Sequence, residues 1–180
     1  MKTLEVRRHT MRAKPNLHIS PEGIALTKTV AISQSKFDYV VTSDLERAIQ
    51  TAEAMGQKVN HTEHDLGFLP KTIYNHVGWP VALEHVAQSM SDPATNAYAQ
   101  NQLAMWQNII TQTPQNGHAL IITHGLIIEL AMVACMPNAM HKDWGQAIGY
   151  CEGIRLTFDD NKFTKSEILR VPKEHYNAEN

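Results

Sequence analysis

His118-Ala119-Leu120-Ile121-Ile122-Thr123 reads as the clearest buried strand of the chain. Asn116-Gly117 supplies a turn before it, and Gly125 opens an apolar helix after it that runs to about Cys135. An apolar, β-branched run with no polar alternation is what a sheet covered by helices on both faces requires. Working back along the chain, Phe37–Val41 has the same character, Thr3–Arg8 reads as a short strand, and Val59–Thr62 as another. Towards the end, Gly153–Phe158 and Phe163–Val171 flank Asp159-Asp160-Asn161-Lys162, which predicts a β-hairpin. Helical stretches lie between the strands. Ser20 followed by Pro21 starts one that continues to about Gln34. Ser43 with Glu46 three residues on is a capping-box pattern for a second, to about Met55. Pro80–Met90 and Pro93–Thr113 read as two more, and Asp65–Trp79, with Gly67, Pro70 and Gly78, reads as a loop. Strands alternating with helices predict an α/β fold: a three-layer α/β/α sandwich with a mostly parallel sheet and an antiparallel edge.

The chain has 180 residues, which suits one domain over 1–172, followed by a polar tail over 173–180 that frays. Apolar residues make up 43% and charged residues 19%, the balance of a globular protein. Two cysteines, Cys135 and Cys151, form no disulfide framework; they read as small apolar core residues in a reduced, cytoplasmic setting. Sixteen Lys and Arg against 18 Asp and Glu give a net charge of −2, which argues against nucleic acid as a partner. The basic residues are unevenly spread: Lys2, Arg7, Arg8, Arg12 and Lys14 crowd the first 14 positions beside one acid, Glu5. Such a focus suits a small anion. No apolar run approaches the roughly 20 residues of a membrane span, and no signal-peptide core is visible. No feature of the sequence sets an oligomeric state.

Ten histidines invite a metal reading, and His61 and His64 form H-x-x-H around Glu63. No Cys or Asp pair falls at ligand spacing and H-E-x-x-H is absent, so no metal site is expected. His18, His76, His85, His118, His141 and His175 read as surface or satisfied core residues. Trp79, between Gly78 and Pro80, fits a core position or a substrate lip equally well. Glycine-rich nucleotide cradles are absent.

Three segments share one geometry. Arg8-His9 lies just past the first strand, Thr42-Ser43 past the second with Arg47 one turn on, and His124-Gly125 past the HALIIT strand. Ligands of open α/β sheets bind outside the carboxyl ends of strands, so neighbouring parallel strands would bring Arg8, His9, Arg47 and His124 into one crevice. Arg47 falls in the first turn of its helix, where the macrodipole disfavours a cation. Either an anion sits beside it, or it is a solvated arginine paired with Glu46 or Asp44.

Arg8-His9-Thr10-Met11-Arg12 resembles the R-H-G or R-H-x-x-R opening of the histidine phosphatase superfamily, the phosphoglycerate-mutase-like proteins. Ser43-Asp44-Leu45-Glu46-Arg47-Ala48-Ile49-Gln50-Thr51-Ala52 resembles that family's S-x-L-x-R-A-x-Q-T-A segment, and Thr123-His124-Gly125 its second-histidine segment. The three occur in the family's order and cover residues 4–134. The resemblance implies a phosphohydrolase acting on a small phosphorylated substrate, a phosphomonoester, or on a phosphorylated protein side chain, with no cofactor and no metal. His9 would be the nucleophile, passing through a phosphohistidine. Arg8, Arg12, Arg47 and His124 would bind the phosphoryl oxygens. The family's carboxylic acid falls on Glu63, through the spacing Glu63-His64-Asp65-Leu66-Gly67, with Asp65 as the fallback because Phe68-Leu69-Pro70 replaces the usual aromatic-Glu-Gly continuation. Thr10 stands where glycine is common and tightens the space beside the phosphate. Gly125 after the second histidine departs from the acid-phosphatase branch, and the short chain leaves little room for mutase insertions. Two alternatives stay open: a mutase-type phosphotransferase, and a phospho-ligand binding module without a working acid.

Overall fold

The computed structural model describes residues 1–32 and 36–175. Six strands form one sheet: β1 (Lys2–Arg8), β2 (Tyr39–Thr42), β3 (His61–Thr62), β4 (His118–Thr123), β5 (Gly153–Asp159) and β6 (Lys162–Leu169), in the order β3-β2-β4-β1-β5-β6. The pairs β3–β2, β2–β4 and β4–β1 are parallel; β1–β5 and β5–β6 are antiparallel, so the closing hairpin supplies the antiparallel edge. The helices are α1 (Pro21–Ala31), α2 (Glu46–Ala54), α3 (Lys71–Val77), α4 (Leu83–Ser89), α5 (Pro93–Thr111) and α6 (Ile127–Cys135).

Alternation along the central strands sorts the core into two layers. Leu4, Val6, Val41 and Ile121 pack with Trp106 and Ile110 of α5 and Ile128 and Met132 of α6. Val40, Leu120 and Ile122 face the other way, onto Leu26 of α1 and Ala48, Ala52 and Met55 of α2. The same alternation separates Arg7 from Arg8, and the length of β1 separates Lys2 from both. Arg7 turns from Arg8 and pairs with Glu5 at 2.6 Å, while Lys2 Nζ donates to Ile110 O and Thr111 O at 3.2 and 2.8 Å. Five bases crowded in sequence are therefore not one positive focus in space.

Several expectations shift. The segment Asp65–Trp79 is not a plain loop. It holds a 3-10 turn at His64–Leu66 and α3, which starts after Pro70 and stops at Gly78 with φ 69. Val59–Thr62 shortens to the two residues of β3, Phe37–Val41 becomes Tyr39–Thr42, and Pro80–Met90 becomes α4. Ser20 caps α1 as expected, accepting from Gly23 N at 3.0 Å. The expected end of α1 near Gln34 lies outside the described residues, as does 176–180 of the tail, whose start, Lys173–His175, forms a 3-10 turn.

Candidate active site

β2, β4 and β1 are neighbours and parallel, so their carboxyl ends open on one place. Ladder hydrogen bonds continue one residue past β1 and β2: His9 N donates to Thr123 O at 2.9 Å and Ser43 N to Ile122 O at 3.1 Å. The first residues of these loops are therefore held by the sheet itself.

His9 is 2% exposed. Its Nδ1 lies 2.7 Å from Thr10 O, and Arg47 Nε donates to its Nε2 at 3.1 Å. A carbonyl only accepts and a guanidinium only donates, so both neighbours select the same tautomer, with the proton on Nδ1 and a lone pair on Nε2. Burial first, then the neighbouring His124 ring and the Arg8 and Arg47 charges, hold its pKa well below the ordinary value, against the opposite pull of Thr10 O. The ring is a neutral base with its lone pair turned to a cation.

Arg47 is the second residue of α2. The solvated-pair alternative does not describe it: Glu46 meets Gln50 at 3.2 Å and Asp44 meets His64 at 2.8 Å, while Arg47 turns to His9. Burial and then the nearby charge of Arg12 lower its pKa. Arg8 is fully buried; Nη1 donates to Ile148 O at 3.0 Å, and its guanidinium carbon lies 4.2 Å from the Tyr150 ring centroid and 4.8 Å from that of Trp79. Flanking aromatic faces hold a buried cation in place.

His124 completes the group, its ring centroid 4.9 Å from that of His9. Burial, then Arg47 and Arg8, push its pKa down to about 3. Its Nε2 lies 2.7 Å from Ser43 Oγ, and its buried Nδ1 has no hydrogen-bond partner among the described residues. Ser43 therefore does not cap α2, as its spacing to Glu46 predicts. Leu45 stands at the cap without a side-chain bond, and the hydroxyl orients the second histidine instead.

Thr10 also departs from expectation. Its hydroxyl donates to Gly23 O in α1 at 2.9 Å and its amide to Thr51 Oγ1 in α2 at 3.0 Å, so its side chain packs on helices and does not crowd the crevice. Trp79 settles as a buried wall behind Arg8, 6% exposed. Gly125 follows from it: a Cβ there would lie 2.4 Å from Trp79 Cζ2. Tyr150, absent from the sequence motifs, is a further wall, its ring centroid 5.7 Å from that of His9. No local pattern marks it, because it reaches the site from the loop before β5.

The carboxylates stand apart. Glu63 follows β3, next to β2; its Oε1 accepts from Asp65 N at 3.4 Å and its Oε2 lies 4.0 Å from His61 Nε2. Neither Glu63 nor exposed Asp65 has a hydrogen bond to Arg8, His9, Arg47 or His124. Among the described residues no three His, Cys, Asp or Glu side chains gather as a metal ion would require, and His64 is paired with Asp44. Both cysteines are buried, and burial raises their thiol pKa values. No described helix is long and apolar enough to cross a membrane.

Residues 2–67 match the model of the histidine phosphatase superfamily (branch 1). The fold is shared with a phosphoserine phosphatase from Entamoeba histolytica solved with 3-phosphoglyceric acid, at 15% identity over 95% of this chain and 98% of that one, TM-score 0.70. It is shared too with a phosphoglycerate mutase from Bacillus anthracis, at 16% identity over 90% of each chain, TM-score 0.60. A third such structure is the protein histidine phosphatase SixA with tungstate, at 16% identity over 92% of this chain and 96% of that one, TM-score 0.58. No curated protein matches the chain in sequence. The family resemblance thus holds by sequence over the segment carrying Arg8, His9, Arg12 and Arg47, and the phosphoglycerate-mutase-like fold spans the rest.

Proposed function

We propose that the chain is a phosphohydrolase that cleaves a phosphomonoester through a phosphohistidine on His9, within one domain spanning 1–172. The observation that carries this reading is the pair of opposed hydrogen bonds on His9, from Nδ1 to Thr10 O and from Arg47 Nε to Nε2. They leave a neutral imidazole whose nucleophilic nitrogen faces a cation, the arrangement in-line attack on phosphorus needs. The Nε2 lone pair forms the N–P bond as the P–O bond to the leaving group breaks. Arg47 is bonded to that lone pair, so its guanidinium must pass to the phosphoryl oxygens as the phosphate arrives. Arg8, Arg12 and His124 take the remaining charge. Water then attacks the phosphohistidine, returning His9 and releasing phosphate.

The leaving oxygen needs a proton, which we assign to Glu63, half-buried beyond the neighbouring strand; Asp65 is the fallback. A donor of this kind has to reach the substrate oxygen and not the histidine, so the lack of a Glu63–His9 contact is compatible with the role. The binding-module alternative draws support from the bond of Glu63 to Asp65 N. Glu63→Gln separates the two on an aryl phosphate: a working acid predicts a rate loss of roughly 10²–10⁴-fold with phosphate affinity retained. A loss confined to Asp65→Asn would move the role to Asp65, and a wild type that binds phosphate without turnover would establish the module. A mutase would need a phosphorylated primer for activity; the hydrolase needs none, and its activity should survive chelator.

A further inference from the structure

Every residue of α6 is buried, and all but one of its nine side chains are apolar. The exception, Glu129, is 0% exposed. Burying a carboxyl group there is costly unless it is hydrogen-bonded. Its Oε1 accepts from Trp79 Nε1 and from Ile148 N, each at 2.9 Å, while Oε2 has no hydrogen-bond partner among the described residues. Those two donors belong to two of the residues that hold Arg8: the Trp79 ring lies over its guanidinium, and Ile148 O accepts from its Nη1. They come from separate parts of the chain, the turn after α3 and the loop before β5, and one oxygen atom ties them together.

We infer that Glu129 is a positioning residue for phosphoryl transfer: its Oε1 clamps Trp79 to the Ile148 peptide and so fixes the slot in which the Arg8 guanidinium meets the phosphoryl oxygens. This rests on reading Arg8 as a phosphate ligand. Burial pushes the Glu129 carboxyl up and the Arg8 charge pulls it down, which agrees with the two groups being electrostatic neighbours. Because the clamp is an acceptor function, an amide oxygen can replace it.

The test uses the full chain and its Glu129→Ala, Glu129→Gln, Trp79→Phe and Trp79→Phe/Glu129→Ala variants. It reads kcat/KM on an aryl phosphate, affinity for orthovanadate and thermal midpoint. Glu129→Ala should lose about 10²-fold in kcat/KM, the scale of a small misplacement of a catalytic group, and should weaken orthovanadate binding. Glu129→Gln should recover most of both losses. Trp79→Phe keeps a ring over Arg8 but removes the N–H, so it should be impaired, and the double variant should be no worse than Glu129→Ala, since the bond lost in Trp79→Phe is one of the two already lost in Glu129→Ala. A folded Glu129→Ala with wild-type kcat/KM and orthovanadate affinity overturns the assignment. So does a Glu129→Gln as poor as Glu129→Ala, or losses that multiply in the double variant. If Glu129→Ala does not fold, an unimpaired Trp79→Phe overturns it. An active wild type with unaffected variants removes only the role of Glu129. A wild type that neither binds orthovanadate nor turns over removes the phosphate site, and this inference with it.

Discussion

Two hydrogen bonds on one imidazole set the chemistry at the residue scale. The Arg47 contact that selects the reactive tautomer also covers the reactive nitrogen. Removing Arg47 should therefore have opposite effects on two measurements. Arg47→Ala should lose about 10²–10³-fold in turnover, the cost of removing one preorganised donor to developing charge. The same variant should modify His9 faster with diethylpyrocarbonate, because Nε2 is uncovered. Slower modification would mean that Arg47 activates the nitrogen and does not mask it. At this scale the sequence is legible where strand ends carry the residues: Arg8, His9, Arg47 and His124 meet because β1, β2 and β4 are parallel neighbours. Ser43 satisfies the local S-x-x-E capping rule, yet its partner in the fold, His124, lies 81 positions away. Tyr150 and Glu129 act only through contacts made by folding, and no spacing announces those.

Elements place these residues, and glycines allow the elements to approach. The chain leaves β4 for α6 through His124, Gly125 and Leu126, the last at φ 64, while Trp79 lies against Gly125. Gly125→Ala would put its Cβ 2.4 and 2.7 Å from Trp79 Cζ2 and Cη2. The indole is buried between Gly125 and Arg8, so it cannot simply swing aside. The substitution should cost about 1–3 kcal/mol by overpacking, read as a lowered denaturation midpoint, with a loss of turnover because the ring behind Arg8 moves. Unchanged stability and turnover would show that the packing is loose. The buried strands were readable because they are apolar throughout. Helix α3 was not: Pro70 and Gly78, which suggested a loop, are its start and its left-handed stop. Punctuation residues bound a short helix as readily as they exclude one.

The whole molecule keeps two imidazoles neutral, and that has a pH signature. His9 and His124 ordinarily titrate near 6.5, and both are depressed in the folded state, His124 to about 3. Above 6.5 neither state takes up the proton and no dependence arises. As pH falls below 6.5 the unfolded chain binds protons that the folded chain refuses, so stability falls, by up to about 1.4 kcal/mol per pH unit for each histidine. Glu129, whose carboxyl is raised by burial, contributes in the opposite direction. The informative quantity is therefore a difference: wild type should lose urea stability between pH 6.5 and 5 more steeply than His124→Gln. Equal slopes would mean that His124 is not held neutral by the fold.

The account stands on a covalent step at one nitrogen. Brief incubation with a ³²P-labelled aryl phosphate, followed by alkaline quench and peptide mapping, should yield an acid-labile phosphoryl group on His9 that is absent from His9→Ala. Turnover without label on His9, or label on any other residue, would contradict it.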